Sequence, residues 1–413
     1  MTNIEQSYSS RSFDGRLLLL AVGLFIVGTN AFVIAGLLPA IAKTLGVSAG
    51  DVSYSITFYA VVVAVAAPAV AILLPRLSRT TLMSGGLALI AVGTVLAAAS
   101  TTLPAFTVGR VLAALGGAAL VPAATAAAAA VSTPARRGRA IAFVSLGFTA
   151  ATALGSPLGT ALGSAGGWQL PLYILAATAA VLAVAIALVV RGIPVGGQVT
   201  LRARFAPLAD HRILFALGAT LFMTAGFNVV YIFSSSITAG ATGGNGGLLA
   251  VLLLLYGLGG TLGNLVAGAV TDRLGSRRTA SIALVVHTLV LVALPVIDAN
   301  YITTAIVFVL WGFAAFAAVP AVQHRMIAVD PERSGLTLSW YTTAMYAGIG
   351  MAPPLGAASL ALGGAQLVPW AGAVVVVIAL ALFLLGYRAR TRGLAEREDE
   401  KGAGGVVLDA RGA

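Results

Sequence analysis

Cysteine is absent from all 413 residues, so the chain has no disulfide, no thiolate metal ligand and no cysteine nucleophile. Charge is scarce. Asp, Glu, Lys and Arg make up 9% of the residues, against about 25% in soluble domains. Acids number thirteen and histidines three. Apolar side chains fill the space: 59% of residues are hydrophobic, and the mean hydropathy is +1.00. This composition excludes an ordinary soluble enzyme, a disordered chain and a secreted disulfide scaffold. The net charge of +11 would suggest nucleic acid on a soluble chain. Here the basic residues lie in short segments between long apolar runs, so they are expected to set orientation in a lipid bilayer, and no nucleic-acid partner is expected.

A helix needs roughly 20 apolar residues to cross the hydrocarbon core. Twelve segments qualify: 17–41, 52–74, 82–99, 104–131, 140–163, 168–190, 213–239, 248–270, 280–297, 301–322, 336–362 and 367–387. All read as helices, because a lone strand in lipid leaves its backbone unpaired. The first run is too long for the core of a cleavable signal peptide. With the N-terminus inside, 22 of the 24 basic residues fall on the inner side. Only Lys43 falls outside, and only Arg110 falls within a span. Both termini are therefore expected to be cytoplasmic. Arginine far outnumbers lysine and alanine is abundant, which hints at a bacterial plasma (inner) membrane.

The connection 191–212 is rich in Gly, Pro and Arg and reads as a linker between two halves. The expected organisation is a cytoplasmic tail at 1–16, a six-helix bundle at 17–190, the linker at 191–212 and a second six-helix bundle at 213–387. A cytoplasmic tail at 388–413 has a composition that predicts disorder. Two landmarks repeat at one offset: Arg76 with Arg273, and Pro157-Leu158-Gly159 with Pro354-Leu355-Gly356. A shared offset of this kind marks a duplicated bundle.

Gly268-x-x-x-Asp272-Arg273-x-Gly275-x-Arg277 resembles the signature loop of the major facilitator superfamily. Gly109-Arg110 within 108–116 resembles the span-four arginine motif of its drug:proton antiporter branch. Gly155, Pro157, Gly159 and Gly163 resemble the span-five motif of that branch's exporters, and 28–39 is similar to span one of chloramphenicol exporters and arabinose-efflux-type permeases. The resemblance covers the chain from the first span to the last. It implies an all-α membrane protein of twelve transmembrane helices in two pseudo-symmetric six-helix bundles, working by alternating access. It also implies an acid in span one at the place of Ala31, which this chain lacks. No acid lies mid-span, so the usual proton carrier is missing. Asp51 is the nearest acid, and a helix N-terminal role suits it better.

Arg110 lies six residues after Pro104, roughly 9 Å deep at 1.5 Å per residue. An intramembrane charge defaults to function, so Arg110 is expected to face a central cavity. Polar and aromatic side chains at Thr29, Asn30, Tyr59, Asn228, Tyr231, Trp311, Trp340, Tyr341, Thr342 and Tyr346 are expected to line it, with Asn30 and Asn228 opposed across the pseudo-twofold axis. That lining suits a neutral or anionic amphipathic molecule. Gly155, Pro157 and Gly159 read as a hinge. Gly268, Asp272, Arg273, Gly275 and Arg277 read as a latch that closes the cytoplasmic side. Spans three, six, nine and twelve are almost wholly apolar and read as lipid-facing, which makes His287 a packing or interfacial residue. Gly257-x-Gly259-Gly260-x-x-Gly263 lies inside an apolar span and reads as helix packing, not a nucleotide loop.

The expected activity is export of small amphipathic molecules by a monomeric secondary transporter, with no cofactor and no metal. Two drivers stay open: proton antiport, or an uncoupled facilitator or uptake permease of the same fold. An intramembrane enzyme is disfavoured, because no bases, metal ligands or nucleophiles cluster. A sensor lacks a soluble signalling domain, and a channel lacks a filter motif or charged rings.

Overall fold

A computed structural model describes residues 15–409 apart from 75, 134–135, 194–199 and 298–299; the side chains of 71, 201, 297 and 389–409 are also outside the description. Of the expected tails and linker, residues 1–14, 194–199 and 410–413 fall outside it. No strand occurs among the described residues. The first bundle holds α1 (Gly15–Leu45), α2 (Ala49–Leu73), α3 (Arg79–Ala98), α4 (Leu103–Ala130), α5 (Arg137–Gly166) and α6 (Gln169–Val189). The linker carries two short turns of helix, Leu201–Phe205 and Ala206–Ala209. The second bundle begins with α7 (His211–Ile232), followed by the short pieces Ser234–Ile237 and Ala239–Thr242. Gly246–Ile297 is a continuous helical stretch broken at Gly275, where φ is 79°. It supplies two spans, α8 (246–274) and α9 (276–297). Then come α10 (Tyr301–Val329), α11 (Ser334–Gly363) and α12 (Leu367–Asp409). The backbone of α12 thus runs into the stretch whose composition predicts disorder.

Local chemistry explains the ends. Gly46 takes a left-handed φ of 67° between α1 and α2, a conformation that side chains with a Cβ avoid. Ser48 and Asp51 then form a reciprocal capping box: the Asp51 N–H donates to Ser48 Oγ at 3.1 Å, and the Ser48 N–H donates to Asp51 Oδ2 at 3.0 Å. Ser78, Thr102 and Asn300 cap α3, α4 and α10 with side-chain oxygens that accept from first-turn backbone N–H groups. Glycine sets how close helices come. A methyl group added at Gly93 or Gly109 would collide with the facing backbone, so α3 and α4 touch main chain to main chain.

Pro157 lacks an N–H and cannot extend the regular ladder of α5. The helix answers with a π turn at Ala151–Gly155, where the Ser156 N–H reaches back five residues to the Ala151 carbonyl. The sequence implies a kink at this proline, and the break takes this form.

The bundles meet unevenly. The face that carries the Gly46 turn is poor in arginine; the opposite face carries the arginine-rich loops. On the arginine-poor half, Gly50 of α2 sits against Ala357 of α11, and Gly246 of α8 sits against Ser164 of α5. Nearer the middle, Thr57 Oγ1 donates to the Gly350 carbonyl at 2.9 Å, and Gly257 packs on the backbone of Ala153. At the arginine-rich ends of α5, α8 and α11, the positions of Gly138, Gly268 and Gly335 look onto open space. The contacts between the bundles at these glycines lie on the arginine-poor half and near the middle.

Candidate substrate site

Arg110 is directed into the first bundle, toward α1 and α2. Its Nη1 donates to the Asn30 carbonyl at 2.6 Å and to Asn30 Oδ1 at 2.5 Å. Asn30 Nδ2 donates in turn to Thr94 Oγ1 on α3 at 2.7 Å. The guanidinium stacks over the Tyr59 ring, with Cζ 4.4 Å from the centroid. A central membrane charge costs about 2.5–3.5 kcal/mol on insertion scales. Hydrogen bonds to a charge contribute about 1.5–3 kcal/mol, and a desolvated cation–π contact about 2 kcal/mol, so this setting offsets much of that cost. The sequence places Arg110 in a water-accessible cavity. Here it is 2% exposed, held against Asn30 and under the Tyr59 ring.

A second group crosses the seam between the bundles. Tyr231 Oη donates to Ser156 Oγ at 2.7 Å, and Ser156 Oγ donates to the Phe32 carbonyl at 3.2 Å. Aromatic rings continue the line: Phe148 to Phe32 at 5.8 Å, Phe32 to Tyr231 at 5.8 Å, Tyr231 to Tyr256 at 5.3 Å and Tyr256 to Trp311 at 4.1 Å. Trp311 Nε1 donates to His287 Nε2 at 3.2 Å. Rings at these separations favour offset or edge contacts and hold one another in place.

Not all the expected residues converge. Thr29 is buried against Gly155, and its hydroxyl has no partner. Asn228 Nδ2 donates to the Thr224 carbonyl at 2.9 Å, one turn back in its own helix, while Asn30 is taken up by Arg110 and Thr94. The two asparagines are thus engaged separately, each within its own bundle. Trp340 stands at the linker: its Nε1 donates to the Arg204 carbonyl at 2.9 Å, and its ring meets Phe205. Tyr341 is buried and pairs with Gln323. Tyr346 is buried on α11 within electrostatic range of Tyr59.

Of the hinge and latch residues, Gly155 lies in the π turn, Pro157 follows it, and Gly159 packs on Val33. Gly275 forms the sharp bend between α8 and α9. Asp272 and Arg273 are exposed and form no ion pair with any described residue. Arg277 lies over the Tyr387 ring at 5.7 Å.

Sequence reasoning missed Thr94, Ser156 and Tyr256, and set His287 aside. His287 lies on a span read as lipid-facing, yet it turns inward and is 1% exposed. Its polarity in an otherwise apolar helix was the available signal. Arg325 reads as a loop residue, but α10 continues past it, and it is buried with Nη2 donating to the Gly386 carbonyl.

Two stretches, 20–323 and 215–409, match the Major Facilitator Superfamily, and the chain belongs to it. It is 29% identical over 377 residues to the uncharacterized MFS-type transporter YbcL of Bacillus subtilis (strain 168), covering 91% of this chain and 97% of that protein. It is 30% identical over 376 residues to a chloramphenicol resistance protein of Streptomyces lividans, covering 88% and 94%. Among solved structures, it is similar to a bacterial homolog of the human lysosomal transporter Spinster in an inward-facing, unoccupied conformation, with a TM-score of 0.74, 17% identity, and 92% and 98% coverage. The fold is the twelve-helix, two-bundle fold of that superfamily, and the chain is a multi-pass membrane transporter.

Proposed function

We propose that this chain exports small amphipathic molecules across the bacterial inner membrane by alternating access, and that it is captured here open to the cytoplasm. The observation that carries the reading is that the α2–α11 and α5–α8 contacts at glycine lie on the arginine-poor half and near the middle, while Gly138, Gly268 and Gly335 at the arginine-rich ends meet no neighbour. The positive-inside rule makes that half the outer one. The substrate class is supported by the aromatic line through Tyr231, Tyr256 and Trp311, and by the kinship with a protein named for chloramphenicol resistance. Asn30, Thr29 and Arg110 supply polar groups from inside the first bundle, and Asn228, Tyr231, Trp311, Tyr341 and Tyr346 supply polar and aromatic groups from the second. Gly155, Pro157 and Gly159 form the hinge. Gly268, Asp272, Arg273, Gly275 and Arg277 form the latch, released in this state, which engages when the cytoplasmic side shuts.

A second reading, an uncoupled facilitator, is favoured by Ala31, which is buried beside Asn30 where a proton-carrying acid would sit. Asp51 is held in the Ser48 capping box and has a structural job. The deciding experiment uses proteoliposomes loaded with chloramphenicol. Antiport predicts drug movement when a pH gradient is imposed. Counterflow that is normal without any response to the gradient selects the facilitator, and the absence of both ends the export proposal.

A further inference from the structure

Arg110 is buried with part of its hydrogen-bonding capacity unspent. Nη1 serves Asn30, but Nε and Nη2 have no partner. These two nitrogens lie on one edge of the planar guanidinium and present parallel N–H groups, the edge that grips both oxygens of a carboxylate. The hydroxyls of Tyr59, stacked against Arg110, and of Tyr346, on α11 within electrostatic range of Tyr59, are also without partners. The space around Arg110, between α1, α2 and α4, therefore holds donors in excess of acceptors. An ionised carboxylate is a pure acceptor and carries the missing charge. The described chain supplies none there: Asp51, Asp210, Asp272, Asp330 and Glu332 lie at helix ends or loops.

We propose that Arg110 binds the carboxylate of an organic monoanion through its Nε/Nη2 edge, with the Tyr59 and Tyr346 hydroxyls beside it, when α2 and α11 part. This inference rests on the transport reading and adds to its substrates molecules with an apolar body and one carboxylate. In the present conformation α11 lies on α2, the helix that carries Tyr59, where Thr57 bonds Gly350. A ligand that binds only the parted state draws the protein toward it.

The natural absence of cysteine makes the test direct. A Gly50→Cys/Ala357→Cys pair reports contact between α2 and α11, in full-length protein in lipid nanodiscs. Benzoate is the probe, benzamide its neutral isostere, and chloride the inorganic anion, all at constant ionic strength. Benzoate is expected to slow disulfide formation at least fivefold, with benzamide and chloride without effect. Arg110→Lys keeps the charge but loses the parallel pair, and Asn30→Asp lays a carboxylate against Nη1; each is expected to abolish the benzoate effect. Cross-linking of each variant without ligand shows that it folds, and the isosteric Asn30→Asp carries the test if the lysine variant fails. Equal effects of benzoate and benzamide, an effect of chloride alone, or a benzoate effect that survives both variants would overturn the proposal. Normal chloramphenicol counterflow without a benzoate effect sinks this site alone, whereas a benzoate effect without counterflow sinks the export reading and leaves the site standing.

Discussion

Tyr231 of α7 donates its hydroxyl to Ser156 of α5, the first residue after the π turn, and so ties one bundle to the other at the place where α5 departs from regular geometry. A π turn at a bundle seam exposes an otherwise internal hydroxyl to a partner helix. Tyr231→Phe removes the bond and keeps the ring. It is expected to weaken the closed outer half by about 0.5–1.5 kcal/mol. Spin labels on α5 and α8 should then report a larger fraction of molecules with the outer ends apart.

The Gly50 and Ala357 positions are close enough for a disulfide. A Cβ placed on Gly50 lies 3.4 Å from that of Ala357, near the usual Cβ separation of about 3.8 Å. Oxidation of the double cysteine variant should stop transport, and reduction should restore it, as read by counterflow before and after dithiothreitol.

Gly257 meets the backbone of Ala153, with no room for a side chain. Gly257→Leu is expected to cost about 1–3 kcal/mol through overpacking and to hold α8 off α5. The variant should reach the membrane yet transport poorly, with its outer seam accessible to a thiol reagent at an added cysteine.

Trp311 and His287 share a buried hydrogen bond. His287→Leu leaves the indole N–H unpaired, at a cost of about 1–3 kcal/mol. A lower Tm in detergent with unchanged membrane insertion checks this.

Asp210 stands outside the spans, at the start of α7, and contacts Arg212 at 2.6 Å. Burial raises its carboxyl pKa, but hydrogen bonds from Arg212 outweigh that and hold it below the ordinary 3.8. Its contribution is therefore present above that value and lost as pH falls through the lower folded pKa. Asp210→Asn should flatten the drop in Tm between pH 5 and pH 3.

The twelve spans and the bend at Pro157 were legible because apolar run length and proline are local properties. The partner of Arg110 was not. Asn30 lies 80 residues away in sequence, and nothing in that spacing selects it over Asn228. Trp340 looks like a cavity residue by type, but its place on α11 turns it to the Arg204 carbonyl in the linker.

Sequence by itself determined that the chain crosses a bilayer twelve times and carries a lone arginine inside it, because hydrocarbon admits only long apolar helices and charges only at a cost. Tertiary structure decided which face is closed, which way Arg110 points and which of its nitrogens are left open. Those depend on how each helix is rotated about its axis and how closely glycines let neighbours approach, and close packing fixes both only once all the helices are assembled.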